Sequence, residues 1–421
     1  MSNQQDDYER YIEQNRRWNF IANAGDLSAV NLAGTFIFSS TILTLYVSYL
    51  TSSAVLIGII PAIQQVGYLL PQLLSARKAE RLHRKKPWVV KVSVVERVPY
   101  LFVTLGVFFI PDAPNWLAYV ILALSIGTAT GAAGVATPAW KGMLGKIIHP
   151  DRRGALFSTG MSIGGFLGIG GSFLARWILK TYKYPTSFAL CFLLSFVFQA
   201  ISWLFLTFNR EPEKTPEHEP GSQWQYFRKL PRVIAENRNF ALFLLASAIV
   251  IAGEMAVSFY IVYARFAFQI SDSFAANLTL VALLSQSIGT PLLGAVGDRK
   301  GHKWLTEFSA LLGVFALVIM LFMPSVVWMY GVFLMMNLSL AGIKISRAAI
   351  TMEFGNLDQM PTFVALSGTL LGVPTFFAPI IGGAILDAFG YATLFSVALI
   401  ISVCGVVVFH FWVKDPRVRR R

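Results

Sequence analysis

Apolar runs of about twenty residues follow one another along almost the whole chain, separated by short polar connections. Twenty residues of α-helix rise about 30 Å, the thickness of a bilayer's hydrocarbon core. The pattern predicts about twelve membrane-spanning helices, over residues 27–50, 53–76, 88–110, 116–140, 153–179, 185–208, 240–266, 272–296, 303–323, 326–350, 361–386 and 391–413. They are numbered here as spans 1 to 12. A membrane barrel would instead need strands of about ten residues that alternate polar with apolar side chains, and these runs do not alternate. The expected fold class is an all-α membrane protein of two six-helix bundles. Residues 1–208 form the first, 209–239 a cytoplasmic linker, and 240–421 the second with a basic tail. The first part of the linker is rich in Pro and Glu and reads as an extended, flexible tether. Its second part places Trp224, Phe227, Leu230 and Ile234 on the headgroup side of a short amphipathic helix.

Composition agrees. Of 421 residues, 55% are hydrophobic and only 14% charged, against about a quarter charged in a soluble domain. The net charge of +13 would suggest nucleic acid in a soluble protein. Here the charge lies in loops, so the expected partner is the lipid bilayer and not nucleic acid. One set of connections carries "ARKAERLHRKK", "KGMLGKIIHPDRR", "DRKGHK" and "KDPRVRRR"; the opposite set is nearly free of Lys and Arg, with Lys180 and Lys183 as exceptions. By the positive-inside rule both termini are cytoplasmic in a multi-pass plasma (inner) membrane protein. The polar N-terminus predicts no cleavable signal. Cys191 and Cys404 fall inside apolar runs and suggest neither a disulfide framework nor a metal site.

The two halves repeat. After span 8 comes "GAVGDRKGHK", residues 294–303, and after span 2 comes "ARKAERLHRK", residues 76–85. Ala76 aligns with Gly294, Glu80 with Asp298, Arg81 with Arg299, and Arg84 and Lys85 with His302 and Lys303. Gly294 would let a neighbouring helix approach closely. Asp298 can accept hydrogen bonds from the free N–H groups of a helix N-terminus. Arg299 can pair with a nearby acid, and Gly301 permits a turn.

The pattern G-x-x-x-D-R-x-G-x-K resembles the signature loop of the major facilitator superfamily, on Gly294, Asp298, Arg299, Gly301 and Lys303. The copy at Ala76, Glu80, Arg81, Arg84 and Lys85 has drifted, with Ala76, Glu80 and His83 replacing the glycine, aspartate and second glycine. The twelve spans, the repeat and the long middle loop match that family over nearly the whole chain. The resemblance implies alternating access of two bundles around a cavity lined by spans 1, 4, 7 and 10. It also implies a cytoplasmic latch in which Asp298 caps span 11 near Met360.

Polar groups inside a bilayer are costly and mark function by default. Glu254 lies mid-span in span 7, and Ser247, Glu254, Ser258 and Arg265 share one face of a regular helix. Span 10 carries Asn337, Lys344, Arg347 and Thr351, with snorkelling as the alternative for the two cations. Span 1 carries Asn31 and Thr35, and span 4 carries Thr130 and Thr137, whose hydroxyls can also bond their own helix. Gln64 and Gln286 either line the cavity or tie helices together. Asp26, Glu96 and Arg97 read as structural ion pairs, with a coupling role as the alternative. "APIIGG", Ala378 to Gly383, resembles the antiporters' glycine-proline motif, though in span 11 rather than span 5.

"GMSIG", Gly160 to Gly164, fits a nucleophile elbow but sits in a span without the strand such an elbow needs. No phosphate-binding loop is present. The expectation is a secondary active transporter of a small solute, not an enzyme, acting as a monomer without cofactor or metal. Proton-coupled efflux, hence antiport, is the favoured form. A non-transporting sensor, a lipid flippase or a lipid-modifying membrane enzyme are the alternatives.

Overall fold

The computed structural model describes residues 2–110, 114–213, 234–354 and 360–415. These are almost wholly helical, with no strand among them. α1 (Ser2–Phe36) passes through a π-helical turn, Ser39–Leu43, into α2 (Thr44–Leu50). Then come α3 (Ala54–Arg81), α4 (Lys86–Phe109), α5 (Asn115–Ile147), α6 (Pro150–Thr181) and α7 (Thr186–Thr207). The later part holds α8 (Arg238–Gly253), a 3-10 segment Glu254–Phe259, α9 (Tyr260–Phe268), α10 (Asp272–Lys300), α11 (His302–Phe322), α12 (Trp328–Glu353) and α13 (Met360–Trp412). Span 1 is thus α1 with α2, and span 7 is α8 with α9. The amphipathic stretch expected in the linker falls on residues 214–233, outside the described residues. Ile234, expected at the headgroups, instead packs against a buried cluster of Phe240, Phe243, Phe363 and Phe409.

Among the described residues, eleven helical stretches are long and apolar enough to cross a membrane, and the last, Leu366–Trp412, has 47 residues. A straight helix of that length would measure about 70 Å, more than twice a bilayer core. Gly390, at φ 82° and ψ 175°, turns the chain within it. That backbone is open to glycine and strained for other residues. Spans 11 and 12 therefore meet at Gly390, and the crossings among the described residues number twelve. Other boundaries have equally local causes. Pro150 opens α6, where its missing N–H costs no helical bond. The Asn237 side chain accepts from Phe240 N at 3.1 Å and starts α8. Gln269, left-handed at φ 48°, ends α9.

Contacts divide the chain into two compact units, Met1–Phe38 with Val66–Gln223, and Ser39–Gln65 with Trp224–Arg421. In the first, α1 packs on α6 and α7, and α4 on α5 and α7. In the second, α8 packs on α13, α11 on α12 and α13, and α10 on α12. Matching spans make matching pairs, so the repeat in the sequence is a repeat in packing. The glycine face of α6 lies on α1: a Cβ on Gly164 would stand 2.7 Å from Asn31 Cβ and 3.1 Å from Ser28 Cα. Large apolar side chains such as Leu74 (78% exposed) and Phe109 (79%) point outward. Facing water they would be a liability; facing lipid they are the expected surface.

Candidate functional site

The loop between α10 and α11 lies in the second unit. Gly301 adopts φ 100° and forms the break between the two helices. Lys303 Nζ donates to His410 O at 2.8 Å and stands 3.5 Å from Glu307, tying α11 to the end of α13. Asp298 is exposed and its Oδ1 lies 3.3 Å from His302 Nε2. The start of span 11, its expected partner, follows residues 355–359, outside the described residues. Arg299 is exposed and makes no ion pair among the described residues. Gly294 does not mark a close approach here: apart from its own stretch of helix, no described atom lies within 4 Å of where its Cβ would stand. The tight glycine is Gly297, whose Cβ would come 2.7 Å from Leu305 Cδ2 and 2.8 Å from His302 Nδ1.

The drifted copy, in the first unit, is more firmly built than its sequence suggests. Lys85 is buried, with Nζ donating to Ala79 O at 2.8 Å and Leu82 O at 3.1 Å, closing the C-terminus of α3. Burial, and then the neighbouring Lys146 ammonium, push the Lys85 ammonium below the usual lysine value, while Glu211 and Glu80 pull it back. Glu211, just after α7, is the hub. Its Oε2 accepts from Lys85 N at 2.7 Å and Lys86 N at 2.6 Å, capping α4, and its Oε1 accepts from Lys146 Nζ at 3.1 Å. Arg84 pairs with Glu213 at 3.2 Å on the surface. Ala76, Glu80 and Arg81 lie along the last turns of α3, where Glu80 and Arg81 are exposed.

Glu254 opens the 3-10 segment that interrupts span 7. A 3-10 turn advances about 120° per residue against 100° in an α-helix. The shared face expected of Ser247, Glu254, Ser258 and Arg265 is therefore broken. Glu254 instead lines a cavity of about 20 Å³ with Gly253, Tyr260, Gly313, Ser339 and Ser402, room for a single water molecule. Its carboxylate makes no hydrogen bond among the described residues, and the cation acting on it electrostatically is Arg347 on α12. A helix break that places a carboxylate on a small, mostly apolar cavity, within the field of a guanidinium on α12, is suited to holding and releasing a proton inside a membrane.

The remaining candidates make hydrogen bonds within or between helices, or lie exposed. Gln286 Nε2 donates to Asn337 Oδ1 at 2.9 Å, joining α10 to α12. Ser39 Oγ donates to Gln64 Oε1 at 2.7 Å across the π turn. Thr130 and Thr137 donate to Ile126 O and Ala133 O of their own helix, both at 2.7 Å. Thr35 is buried and donates to Asn31 O at 3.4 Å, and Asn31 donates to Leu27 O at 2.7 Å. Lys344 is exposed. In the first unit, Asp26, Glu96 and Arg97 do form ion pairs. Arg97 lies 3.0 Å from Glu96 and 4.0 Å from Asp26, and Ser202 donates to Asp26 at 2.6 Å.

Sequence reasoning missed a clamp within the second unit. The hairpin of α2 and the start of α3 is held by α9, α10 and α13. Arg265 Nη1 donates to Ser48 Oγ at 2.7 Å, and its guanidinium lies 3.4 Å above the Tyr49 ring. Tyr49 donates to Asp272 Oδ1 at 2.6 Å. Asp387 on α13 caps α3, accepting from Ala54 N at 2.7 Å, Val55 N at 3.1 Å and Ser53 Oγ at 3.0 Å. Gly383 of "APIIGG" lets this happen, since a Cβ there would stand 2.5 Å from Ala54 O. The π turn of span 1 and the 3-10 turn of span 7 touch each other in the same region.

A family model described as Major Facilitator Superfamily matches residues 27–265 and 243–421. No curated protein sequence gives a significant match. Among solved structures the chain is similar to the nucleoside transporter NupG, at 13% identity and a TM-score of 0.71, covering 94% of this chain and 100% of that one. It is similar to a D-xylose-proton symporter at 14% identity and a TM-score of 0.72, covering 94% and 98%. The inward-open xylose transporter XylE from E. coli gives 13% identity and a TM-score of 0.68, covering 94% and 96%. Such identities speak for the fold alone; the family model, which spans both repeats and most of the sequence, goes further, and the chain belongs to the Major Facilitator Superfamily of membrane transporters.

Proposed function

We propose that this chain moves a small solute by alternating access, coupled to protons, with export as the favoured direction. The observation that carries the coupling is Glu254, a carboxylate at a helix break in the middle of a span. It has no hydrogen-bond partner among the described residues, and the Arg347 guanidinium acts on it electrostatically without an ion pair within 4.0 Å. An ionised carboxylate is costly there, and Arg347 offsets that cost. Protonation of Glu254 removes a negative charge from the field around Arg347, so the local charge balance differs between the two states. A proton can then favour one packing of span 7 over the other. The D-xylose-proton symporter, by its name, joins this fold to proton coupling.

In this reading the bundles are residues 1–208 and 240–421, joined by the linker 209–239. The chain lies in the plasma membrane as a monomer with both termini cytoplasmic, as the Lys and Arg of the loops suggest. The loop from Gly294 to Lys303 serves as the cytoplasmic latch. The clamp of Asp387, Arg265 and Asp272 on the α2–α3 hairpin serves at the other end, and opening there releases it. The test begins with a screen of small solutes for thermal stabilisation of the purified protein. A stabilising solute is then sealed in proteoliposomes with and without an imposed pH gradient. Solute movement that accelerates with the gradient supports the reading. Facilitated movement that ignores the gradient would leave a uniporter, and binding without movement would leave a sensor.

A further inference from the structure

We propose that the first unit carries a binding site for the phosphate of an anionic phospholipid headgroup, in the cleft among the N-terminal stretch of α1, the start of α4 and the end of α7. The cleft has a volume of about 450 Å³ and its lining includes Tyr11, Arg84, Lys86, Asn209, Arg210 and Glu211. That volume falls within the range of ligand sites, roughly 300–1,000 Å³.

Its charge is positive where a ligand can reach it. Glu211 is the one carboxylate among the described residues of the lining, and its side chain is only 1% exposed. Both of its oxygens are engaged, by two backbone N–H groups of α4 and by Lys146. Three cations remain, Arg84, Lys86 and Arg210. Arg210 is held in place: Nη1 donates to Asn15 Oδ1 at 2.9 Å, and the guanidinium lies 4.8 Å over the Trp18 ring. Its backbone is pinned as well, because Asn19 Oδ1 accepts from Arg210 N at 2.8 Å and Asn19 Nδ2 donates to Arg210 O at 3.0 Å. Among the described residues Arg84 pairs with the exposed Glu213 alone, a surface pair worth little and easily exchanged for a phosphate. A fixed guanidinium with a lysine ammonium and a second arginine suits a phosphate oxyanion.

The depth of the cleft selects a lipid. The proposal rests on α4 and α7 being membrane spans. Lys86 is the first residue of α4, and Arg210 follows the last residue of α7 by three positions. Both therefore sit where the hydrocarbon core ends. Beside them Trp18, Ile21 and Phe208 are exposed, and Trp18 Nε1 donates to Phe208 O at 2.7 Å. Amphipathic rings with an apolar body and a satisfied polar edge are the residues of a headgroup layer. Basic pockets at this depth attract acidic lipids.

The full-length protein in neutral detergent is titrated with dihexanoyl phosphatidylglycerol, dihexanoyl phosphatidylcholine or inorganic phosphate while its unfolding temperature is followed. The phosphatidylglycerol should stabilise saturably and the phosphatidylcholine should not. Lys86→Gln leaves the backbone bond to Glu211 intact, and Arg84→Gln loses only a surface pair. Each should weaken phosphatidylglycerol binding about fivefold, the worth of one basic side chain at a membrane surface, without lowering the unfolding temperature of the lipid-free protein. Equal stabilisation by both lipids, or unchanged binding in both variants, would overturn the proposal. Inorganic phosphate matching the phosphatidylglycerol at equal concentration would also overturn it, and would make the cleft a site for free phosphate.

Discussion

Asp387→Ala tests the clamp on α3. The side chain accepts three hydrogen bonds, from Ala54 N, Val55 N and Ser53 Oγ, and places a negative charge at a helix N-terminus. Loss of an N-cap costs about 1 kcal/mol, and loss of the charge from an exposed helix end about 0.5 kcal/mol more. The clamped arrangement should therefore lose about 1.5 kcal/mol, close to tenfold in population. Asp387→Asn keeps one acceptor oxygen and should lose roughly half as much, about threefold. The readout is the labelling of Ala54→Cys by a maleimide in detergent. Ala54 is only 3% exposed beneath the clamp, so its reaction reports the unclamped state. Cys191 and Cys404 are first replaced by Ala and Ser. Labelling should accelerate about tenfold with Asp387→Ala and about threefold with Asp387→Asn. Equal labelling rates in all three proteins would refute the reasoning and leave Asp387 as an ordinary surface cap.

Glu211→Ala should destabilise the purified protein by about 3 kcal/mol, because Lys146 and the start of α4 lose a buried partner. In a double-mutant cycle of thermal unfolding, adding Lys146→Met should cost much less than it does alone, and additive losses would contradict the pairing. Gly297→Leu should lower the unfolding temperature because of its contacts with Leu305 and His302, whereas Gly294→Leu should not; equal losses would contradict this. The folded pKa of Lys85 lies below its unfolded value of 10.5, so the unfolded chain holds more protons and stability rises as pH climbs from the folded pKa toward 10.5. Lys85→Met should flatten that rise in unfolding temperature, and an unchanged slope would assign it to other groups.

The spans were legible because each needs its own run of about twenty apolar residues, a local property. The repeat was legible because one copy of the loop kept Gly294, Asp298, Arg299, Gly301 and Lys303. The breaks in spans 1 and 7 were not legible. "SSTIL" and "EMAVSF" contain neither Gly nor Pro, and a regular helical period was read straight through them. That error put Glu254 on a stripe with Ser258 and Arg265, although its own place in mid-span was evident. The clamp was hidden for another reason: Asp387 and Ala54 are 333 positions apart, and no short-range pattern links a carboxylate to a distant helix end. Glu211 sat in a stretch read as an extended tether, where a buried acid has no local signal. Polar stripes on spans 1 and 4 carry little by themselves, since Thr35, Thr130 and Thr137 each donate to a carbonyl of their own helix.

The central claim is that Glu254 carries the coupling proton against Arg347. Glu254→Gln keeps the size and the hydrogen-bonding capacity of the side chain but removes its charge and its titration. With a solute identified by thermal stabilisation, proteoliposomes containing the wild type or Glu254→Gln are compared in two modes, movement driven by a pH gradient and exchange of solute at equal pH. The account predicts that Glu254→Gln abolishes the gradient-driven mode and retains exchange. Gradient-driven movement at the wild-type rate by Glu254→Gln would contradict it.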